Sequence, residues 1–120
     1  MSPVDIPYPS VIPDSQMTAS SQYSNSYKPF YGRLHGLRGD GWCSEYPDRN
    51  DEWLQVDFGK TVHVCAVATQ GDVNGNEWVT DFKLSYSADG NNWIPYTDGK
   101  GAEVVRLISS IISCNMLVLL

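Results

Sequence analysis

The sequence predicts one small all-β domain, and three observations support this fold class. Over residues 53–71 apolar and polar residues alternate with a period of two, as in strands that have one face in a core. Turn-forming residues recur along the chain at intervals of about ten residues. No segment before residue 103 carries the apolar stripe of an amphipathic helix. We therefore expect short strands arranged as a β-sandwich or barrel.

The first half of the chain is expected to be mostly irregular. Residues 1–11 are rich in proline and form an extended lead-in, and the polar segment 14–21 can start a first strand. Segment 22–31 mixes aromatic residues with Ser, Asn and Pro without a clean period, which indicates a loop that carries exposed rings. Segment 36–50 is rich in glycine and is expected to be a second long loop.

The strands are expected in the second half. Leu54, Val56 and Phe58 alternate with Gln55 and Asp57, so the first group should face the core. The remaining elements follow in order: a turn at Gly59-Lys60, a strand over 62–69, a turn-rich loop over 71–77, a strand over 78–87, a hairpin turn over 88–92 and a returning strand over 93–96.

Composition and charge exclude several function classes. The chain has 120 residues, 42% of them hydrophobic, and a net charge of −6, and no stripe of Lys and Arg is present. This argues against nucleic-acid binding and against membrane binding by cationic attraction. Residues 1–11 lack the basic start and apolar run of a secretory signal. The apolar segment 108–120 is too short and too often interrupted by polar residues to span a bilayer.

The sequence does not predict an enzyme, and it implies no cofactor. Neither histidine, His35 or His63, lies in a recognisable nucleophile motif. Asp57 is expected to hold strand backbone or a turn. A calcium site of oxygen ligands is the alternative left open, although the spacing is not that of an EF-hand; its candidate ligands are Asp40, Asp48, Asp51 and Asp72.

The chain has three cysteines, an odd number, and no zinc-type spacing. Cys65 is expected to be a small core residue in a strand. Cys43 lies in a polar, Gly-rich segment and is the candidate half of a disulfide whose partner must be found elsewhere.

Several separated motifs occur in order along the chain: Gly41-Trp42, Trp53-Leu54-Gln55-Val56-Asp57-Phe58-Gly59, the apolar run 64–67 and Thr69-Gln70-Gly71. Together they resemble the signature of the discoidin family, the coagulation factor 5/8 type C domains with a galactose-binding-like fold. The flanking segments 12–21, 78–80 and 84–93 agree as well, so that the resemblance covers about residues 12–105.

The resemblance implies a jelly-roll β-sandwich and a non-enzymatic recognition or cell-adhesion module, extracellular or at the cell surface. Such modules bind phospholipid membranes, collagen or other matrix proteins, receptors or glycans through loops at one end of the sandwich. A lectin-like carbohydrate-binding module and an accessory domain of a larger secreted enzyme or receptor remain alternatives. Glycan arrays compared with liposome and collagen binding would separate them.

The candidate site residues lie in these loops. Exposed rings on a loop give a large contact area at low entropic cost, but the alternative is that they fold back onto the sandwich. The tripeptide Arg38-Gly39-Asp40 matches an integrin-recognition sequence, which requires an exposed loop with diverging side chains. The candidates are Tyr23, Tyr27, Lys28, Phe30 and Tyr31 in the first loop, Arg38 in the second, and Asp72, Asn74 and Asn76 in the third.

The domain is expected to be incomplete at its C-terminal end. Residues 12–105 resemble the family, whereas the apolar tail 106–120 does not, and further closing strands are expected there. In similar family members the partner of Cys43 lies in the last strand. A truncated or alternatively ended product is therefore our expectation, and a chain that does not fold is a further alternative, because bare sheet edges favour aggregation.

Overall fold

The structure, a computed structural model of the chain, describes residues 12–33, 38–49, 51–61, 70–71, 79, 81–97, 104–106 and 118–119. Within these ranges the regular elements are short strands and two 3-10 helices, and the all-β class predicted from the sequence is confirmed. The 3-10 helices are η1 (Asp14–Gln16) and η2 (Pro29–Gly32). The strands are β1 (Met17–Ala19), β2 (Leu54–Val56), β3 (Asp81–Lys83), β4 (Ser85–Tyr86), β5 (Ile94–Pro95), β6 (Val104–Arg106) and β7 (Val118–Leu119).

Strand β2 is the middle strand of a three-stranded sheet in the order β1-β2-β7. It pairs antiparallel with β1, with Met17 opposite Val56 and Ala19 opposite Leu54. Leu54 and Val56 are fully buried and Gln55 between them is half-buried, so the alternation seen in the sequence does mark the core face. The following predicted strand, 62–69, lies outside the described residues.

The second edge of β2 is paired as well. Val118 and Leu119 run parallel to it, with Gln55 opposite Val118 and Val56 opposite Leu119. These residues belong to the apolar tail 106–120, which does not resemble the family. A strand of this tail therefore supplies backbone hydrogen-bonding groups beside β2, where a bare edge was expected.

The core described by the structure lies between η1, β1 and β2. Ile12, Met17 and Val56 form a buried cluster, and the rings of Phe30 and Phe58 pack against it. Burying one such side chain stabilises the fold by about 1.5–3 kcal/mol. Phe58 thus continues the inward-facing series that begins at Leu54, as the period of two predicts.

The segment expected as one strand over 78–87 changes partner at Leu84. Strand β3 pairs antiparallel with β6, whereas β4 pairs antiparallel with β5. Phe82 is buried, but Tyr86 is 49% exposed, opposite the exposed Ile94. The alternation in this segment predicted that Phe82 and Tyr86 face the core together. Tyr86 does not, because it belongs to a different strand pair from Phe82.

Both predicted turns that the structure describes are held by an aspartate. Gly59 N–H donates to Asp57 Oδ1 at 2.7 Å, and Gly59 has a φ of 73°, so Asp57 shapes a turn as expected. Asp89 Oδ1 accepts hydrogen bonds from the backbone N–H groups of Asn91 and Asn92 at 2.8 Å each. Gly90 follows in the left-handed region at φ 77°, and the hairpin that returns as β5 is confirmed.

Candidate functional site

Two loops, residues 20–33 and 38–49, lie against each other and form what we call the two-loop surface. Tyr23 N–H donates to the Cys43 carbonyl oxygen at 2.8 Å, and Asp40 N–H donates to Ser26 O at 3.0 Å. Trp42 Nε1–H donates to the Ser21 carbonyl oxygen at 2.9 Å. The second loop, which the sequence could place only within 36–50, is thus part of the same surface as the first.

The first loop is also fixed where it leaves β1. Ser20 N–H donates to Trp53 O at 3.0 Å, and Trp53 N–H donates back to Ser20 Oγ at 2.9 Å. The hydroxyl groups of Ser20 and Ser21 both donate to Glu52 Oε2. The Glu52 carboxylate therefore holds the start of the first loop in place.

Tyr23 is the most exposed of the four aromatic residues predicted as ligand contacts in the first loop. Its residue surface is 62% exposed, and its ring meets the Tyr27 ring edge to face at 5.7 Å between centroids. Tyr27 is half-buried. The backbone N–H of Tyr23 is hydrogen-bonded to Cys43 while most of the residue is exposed, so a backbone-anchored segment presents an aromatic side chain.

Phe30 and Tyr31 are half-buried on helix η2, and the expectation of exposed rings holds less well for them. Phe30 packs against the core cluster, and the Phe30 and Tyr31 rings meet at 4.8 Å. Lys28 Nζ lies 5.8 Å from the centroid of the Phe30 ring. The alternative left open in the sequence, that some rings fold back onto the sandwich, therefore describes Phe30.

Arg38 is exposed, yet its guanidinium is engaged within the chain. Its Nη1 and Nη2 groups donate to the two carboxylate oxygens of Asp14 at 3.1 and 3.0 Å. The guanidinium carbon lies 5.4 Å from the Phe30 ring and 6.0 Å from the Tyr31 ring. The side chain is thus held against the protein, not directed outward as integrin recognition of Arg38-Gly39-Asp40 requires.

Arg33 is a buried cation beneath the same carboxylate. Its side chain is 2% exposed, and its Nη2 donates to Ile12 O at 2.7 Å and to Asp14 Oδ1 at 2.8 Å. Its Nε and Nη1 atoms have no hydrogen-bond partner among the residues that the structure describes. The hydrogen bond from Arg38 is the main cause that holds the pKa of Asp14 below its usual value.

Sequence reasoning missed Asp14 and Arg33 because their contact joins residues 19 positions apart without a local motif. It also missed Tyr46, which is 48% exposed in the second loop. Arg49 stacks on the Tyr46 ring at 5.3 Å and donates two hydrogen bonds to Asp51. The signal that could have found Tyr46 is the same as for the first loop, namely an aromatic residue in a segment where apolar and polar residues follow no regular period.

The remaining candidates can be placed only in part. Asp72, Asn74 and Asn76 lie outside the described residues, as do both histidines. Cys43 is buried beside Tyr23, and its disulfide stays a prediction. Within the described ranges no three His, Cys, Asp or Glu side chains come together as a metal site, and no helix there is long and apolar enough to cross a membrane.

Comparison with known proteins identifies the family. The F5/8 type C domain family matches residues 16–110, a range that includes both loops of the two-loop surface. The chain belongs to the F5/8 type C, or discoidin, domain family. The jelly-roll β-sandwich class with a galactose-binding-like fold, predicted from the sequence, is thereby confirmed.

The curated relatives are receptors that contain this domain. The chain is 40% identical over 101 residues to the human epithelial discoidin domain-containing receptor 1, which is 78% of this chain and 11% of the receptor. The receptors of the same name from Rattus norvegicus and Mus musculus are each 38% identical over 100 residues, again 78% of this chain and 11% of theirs. The chain thus spans about a tenth of the length of these relatives.

Proposed function

We propose that this chain is a non-enzymatic, extracellular recognition module that binds a collagen-like matrix protein through the two-loop surface. The observation that carries this proposal is the exposed ring of Tyr23. The loop that bears it is held by two backbone hydrogen bonds, one from Tyr23 N–H to Cys43 O and one from Ser20 N–H to Trp53 O. Such an anchor gives contact area without a large ordering cost on binding. The receptor relatives, which share the domain, support an extracellular setting.

A chain in the polyproline II conformation fits the chemistry of this surface. Polyproline II strands, of which collagen has three, are recognised by aromatic side chains that pack on proline rings, and they offer unpaired carbonyl groups to nearby donors. Tyr23 and Tyr46 supply exposed rings with hydroxyl groups at their tips. The two rings belong to segments that are joined by the Tyr23–Cys43 hydrogen bond.

Charge argues against an anionic phospholipid as the ligand. The chain carries a net charge of −6, and Arg38, a candidate cation on this surface, is bound to Asp14. A phospholipid surface attracts clusters of Lys and Arg, and the gain is about 1 kcal/mol for each residue near the membrane. Arg49, on the same surface, is likewise paired with a carboxylate, that of Asp51, and Lys28 supplies little of this attraction.

Binding of the 120-residue chain to immobilised fibrillar collagen tests the proposal. We expect saturable binding to native collagen and much weaker binding to heat-denatured collagen, because only the triple helix holds the polyproline II strands in place. Vesicles with about 30% phosphatidylserine are the comparison surface, because they carry the negative charge of an anionic membrane. Binding to the vesicles but not to native collagen would overturn the proposal.

A carbohydrate is the second candidate, and Tyr46 is the observation that favours it. Its exposed ring lies beside the Arg49–Asp51 ion pair, which offers both donors and acceptors next to an aromatic face. Sugars bind to this combination of stacking and hydrogen bonding. A glycan array probed with the chain and with Tyr46→Ala distinguishes the two, since a collagen-binding module should leave the array unlabelled.

A further inference from the structure

Asp14 accepts hydrogen bonds from two arginines that belong to different parts of the molecule. Arg33 approaches from the buried side, and its side chain is 2% exposed. Arg38 approaches from the solvent side, and its side chain is 51% exposed. One carboxylate at the start of the domain therefore connects the buried end of the first loop, at Arg33, to the turn that begins the second loop.

The guanidinium of Arg38 is anchored to neighbouring residues of the same chain. Each of its two terminal nitrogens donates one hydrogen bond to Asp14, and its central carbon lies 5.4 Å from the Phe30 ring centroid and 6.0 Å from the Tyr31 ring centroid. A bidentate ion pair next to two aromatic rings restrains the position of the guanidinium. A ligand acid that recruited Arg38 would have to displace Asp14 and leave the buried Arg33 with less compensation.

The residue after Arg38 packs against the same ring. Gly39 has a φ of 63°, and a Cβ atom at this position would overlap the side chain of Tyr31. Asp40 N–H then donates to Ser26 O in the first loop. The turn 38–40 is thus docked on residues 26–31 by two ring contacts, one close backbone approach and one hydrogen bond, and on Asp14 by one ion pair.

We propose that Asp14, Arg38 and Gly39 form a clasp that positions the first loop for binding, and that Arg38 is a positioning residue and not a ligand contact. This inference rests on the proposed function for its effect on binding. Without the clasp, the first loop adopts additional conformations in which Tyr23 is displaced. The association rate then falls in proportion to the fraction of molecules whose loop has the binding conformation. Contacts made after docking are unchanged, so dissociation is unaffected.

The loop can be examined without any ligand by amide hydrogen exchange on the 120-residue chain. Arg38→Ala should raise the exchange rates of the Tyr31 and Asp40 amides, which are hydrogen-bonded in and next to the clasp, by about tenfold. The Tyr96 amide, which is hydrogen-bonded to the Leu84 carbonyl oxygen in the β4–β5 hairpin, serves as the internal control and should keep its rate. Equal rates at Tyr31 and Asp40 in both proteins would overturn the clasp.

Binding kinetics on fibrillar collagen then separate positioning from contact. Arg38→Ala should lower the association rate about tenfold and leave the dissociation rate within a factor of two. Gly39→Ala removes no charge and no side-chain donor, yet it should lower association in the same way because its Cβ displaces Tyr31. Gly90→Ala is the matched control, since Gly90 has a φ of 77° but no atom within 4 Å of the added Cβ.

Two results would contradict the positioning role. If Arg38→Ala speeds dissociation while Gly39→Ala binds like the wild type, Arg38 contacts the ligand directly. If Tyr23→Ala weakens binding and both clasp variants bind normally, the proposed function stands and the clasp has no part in it. A wild-type chain that fails to bind collagen overturns the proposed function alone, and hydrogen exchange then decides whether the clasp orders the loop.

Discussion

Asp14 joins the core to the candidate site, because its carboxylate binds the buried Arg33 and the exposed Arg38. The two arginines differ in what they require from it. Within the described part of the chain, two nitrogens of Arg33 have no hydrogen-bond partner, and its charge is compensated by Asp14, whereas Arg38 can be hydrated. Since no local motif joins positions 14, 33 and 38, the sequence predicted Arg38 as a ligand contact and did not single out the other two.

Asp14→Ala should lower the free energy of unfolding by about 3 kcal/mol, since it leaves a buried cation without its partner. Adding Arg33→Met should recover at least ~1 kcal/mol of this loss, because the second change removes the uncompensated charge and its unpartnered donors. Urea denaturation of the two single variants and the double variant measures both quantities. A double variant less stable than Asp14→Ala would contradict this account of Arg33.

The two glycines with positive φ should respond differently to alanine. Gly90→Ala should cost about 1 kcal/mol, the strain of a left-handed backbone alone, because nothing surrounds the added Cβ. Gly39→Ala should cost at least ~1 kcal/mol more, since the Tyr31 ring must also move. Urea denaturation checks the difference, and equal losses would mean that the ring adapts freely.

At the level of elements, the sequence predicted strands well where the pattern is local. The alternation around Leu54 and Val56 and the Asp-Gly turn before β5 both describe the structure. The pattern could not predict that the chain changes partner at Leu84, or that β7 pairs parallel with β2. Strand pairing depends on which distant segment supplies the neighbouring hydrogen bonds, and a period of two carries no information about that.

The middle strand should be the most sensitive element. Leu54→Ala removes a fully buried side chain and should lower the free energy of unfolding by about 2–5 kcal/mol. Gln55→Ala, one residue further on the opposite face and half-buried, is the matched control and should cost less than ~1 kcal/mol. A loss at Gln55 as large as that at Leu54 would contradict the assignment of the two faces.

The β4–β5 hairpin should be sensitive to acid. The backbone N–H groups of Asn92 and Asn91, in that order, lower the pKa of Asp89 in the folded protein. A carboxyl group whose folded pKa lies below its unfolded value of about 3.9 stabilises the fold above that pH and loses this effect as the pH falls. The Tm, measured between about pH 2 and pH 7, should therefore fall less at acid pH for Asp89→Asn than for the wild type.

An exposed aspartate outside the hairpin gives the control for this titration. Asp48→Asn removes the same charge from the second loop, where no hydrogen bond to its side chain is described. It changes the net charge by the same amount as Asp89→Asn, so the comparison separates net charge from the hydrogen bonds of the turn. If the two variants have the same pH profile, net charge and not the turn geometry accounts for the acid dependence.

For the whole molecule, the sequence established the family and the kind of surface, but not the arrangement of its residues. Separated motifs identified the discoidin domain, and the irregular aromatic segment identified the first loop. That Tyr23 is the exposed ring, that Phe30 packs against the core and that Tyr46 belongs to the same surface all depend on tertiary contacts. The sequence places aromatic residues at these positions, but their exposure depends on which distant segments pack against them.

The central claim is that this surface binds a collagen-like protein through Tyr23, and binding of Tyr23→Ala to native fibrillar collagen tests it most directly. Tyr86→Ala is the matched control, because Tyr86 is a similarly exposed tyrosine on the β4–β5 hairpin. We predict that Tyr23→Ala loses at least about tenfold in affinity, as for an aromatic anchor worth ~1.4 kcal/mol or more, and that Tyr86→Ala keeps wild-type affinity. Equal affinity of both variants and the wild type, with both variants folded, would contradict the claim.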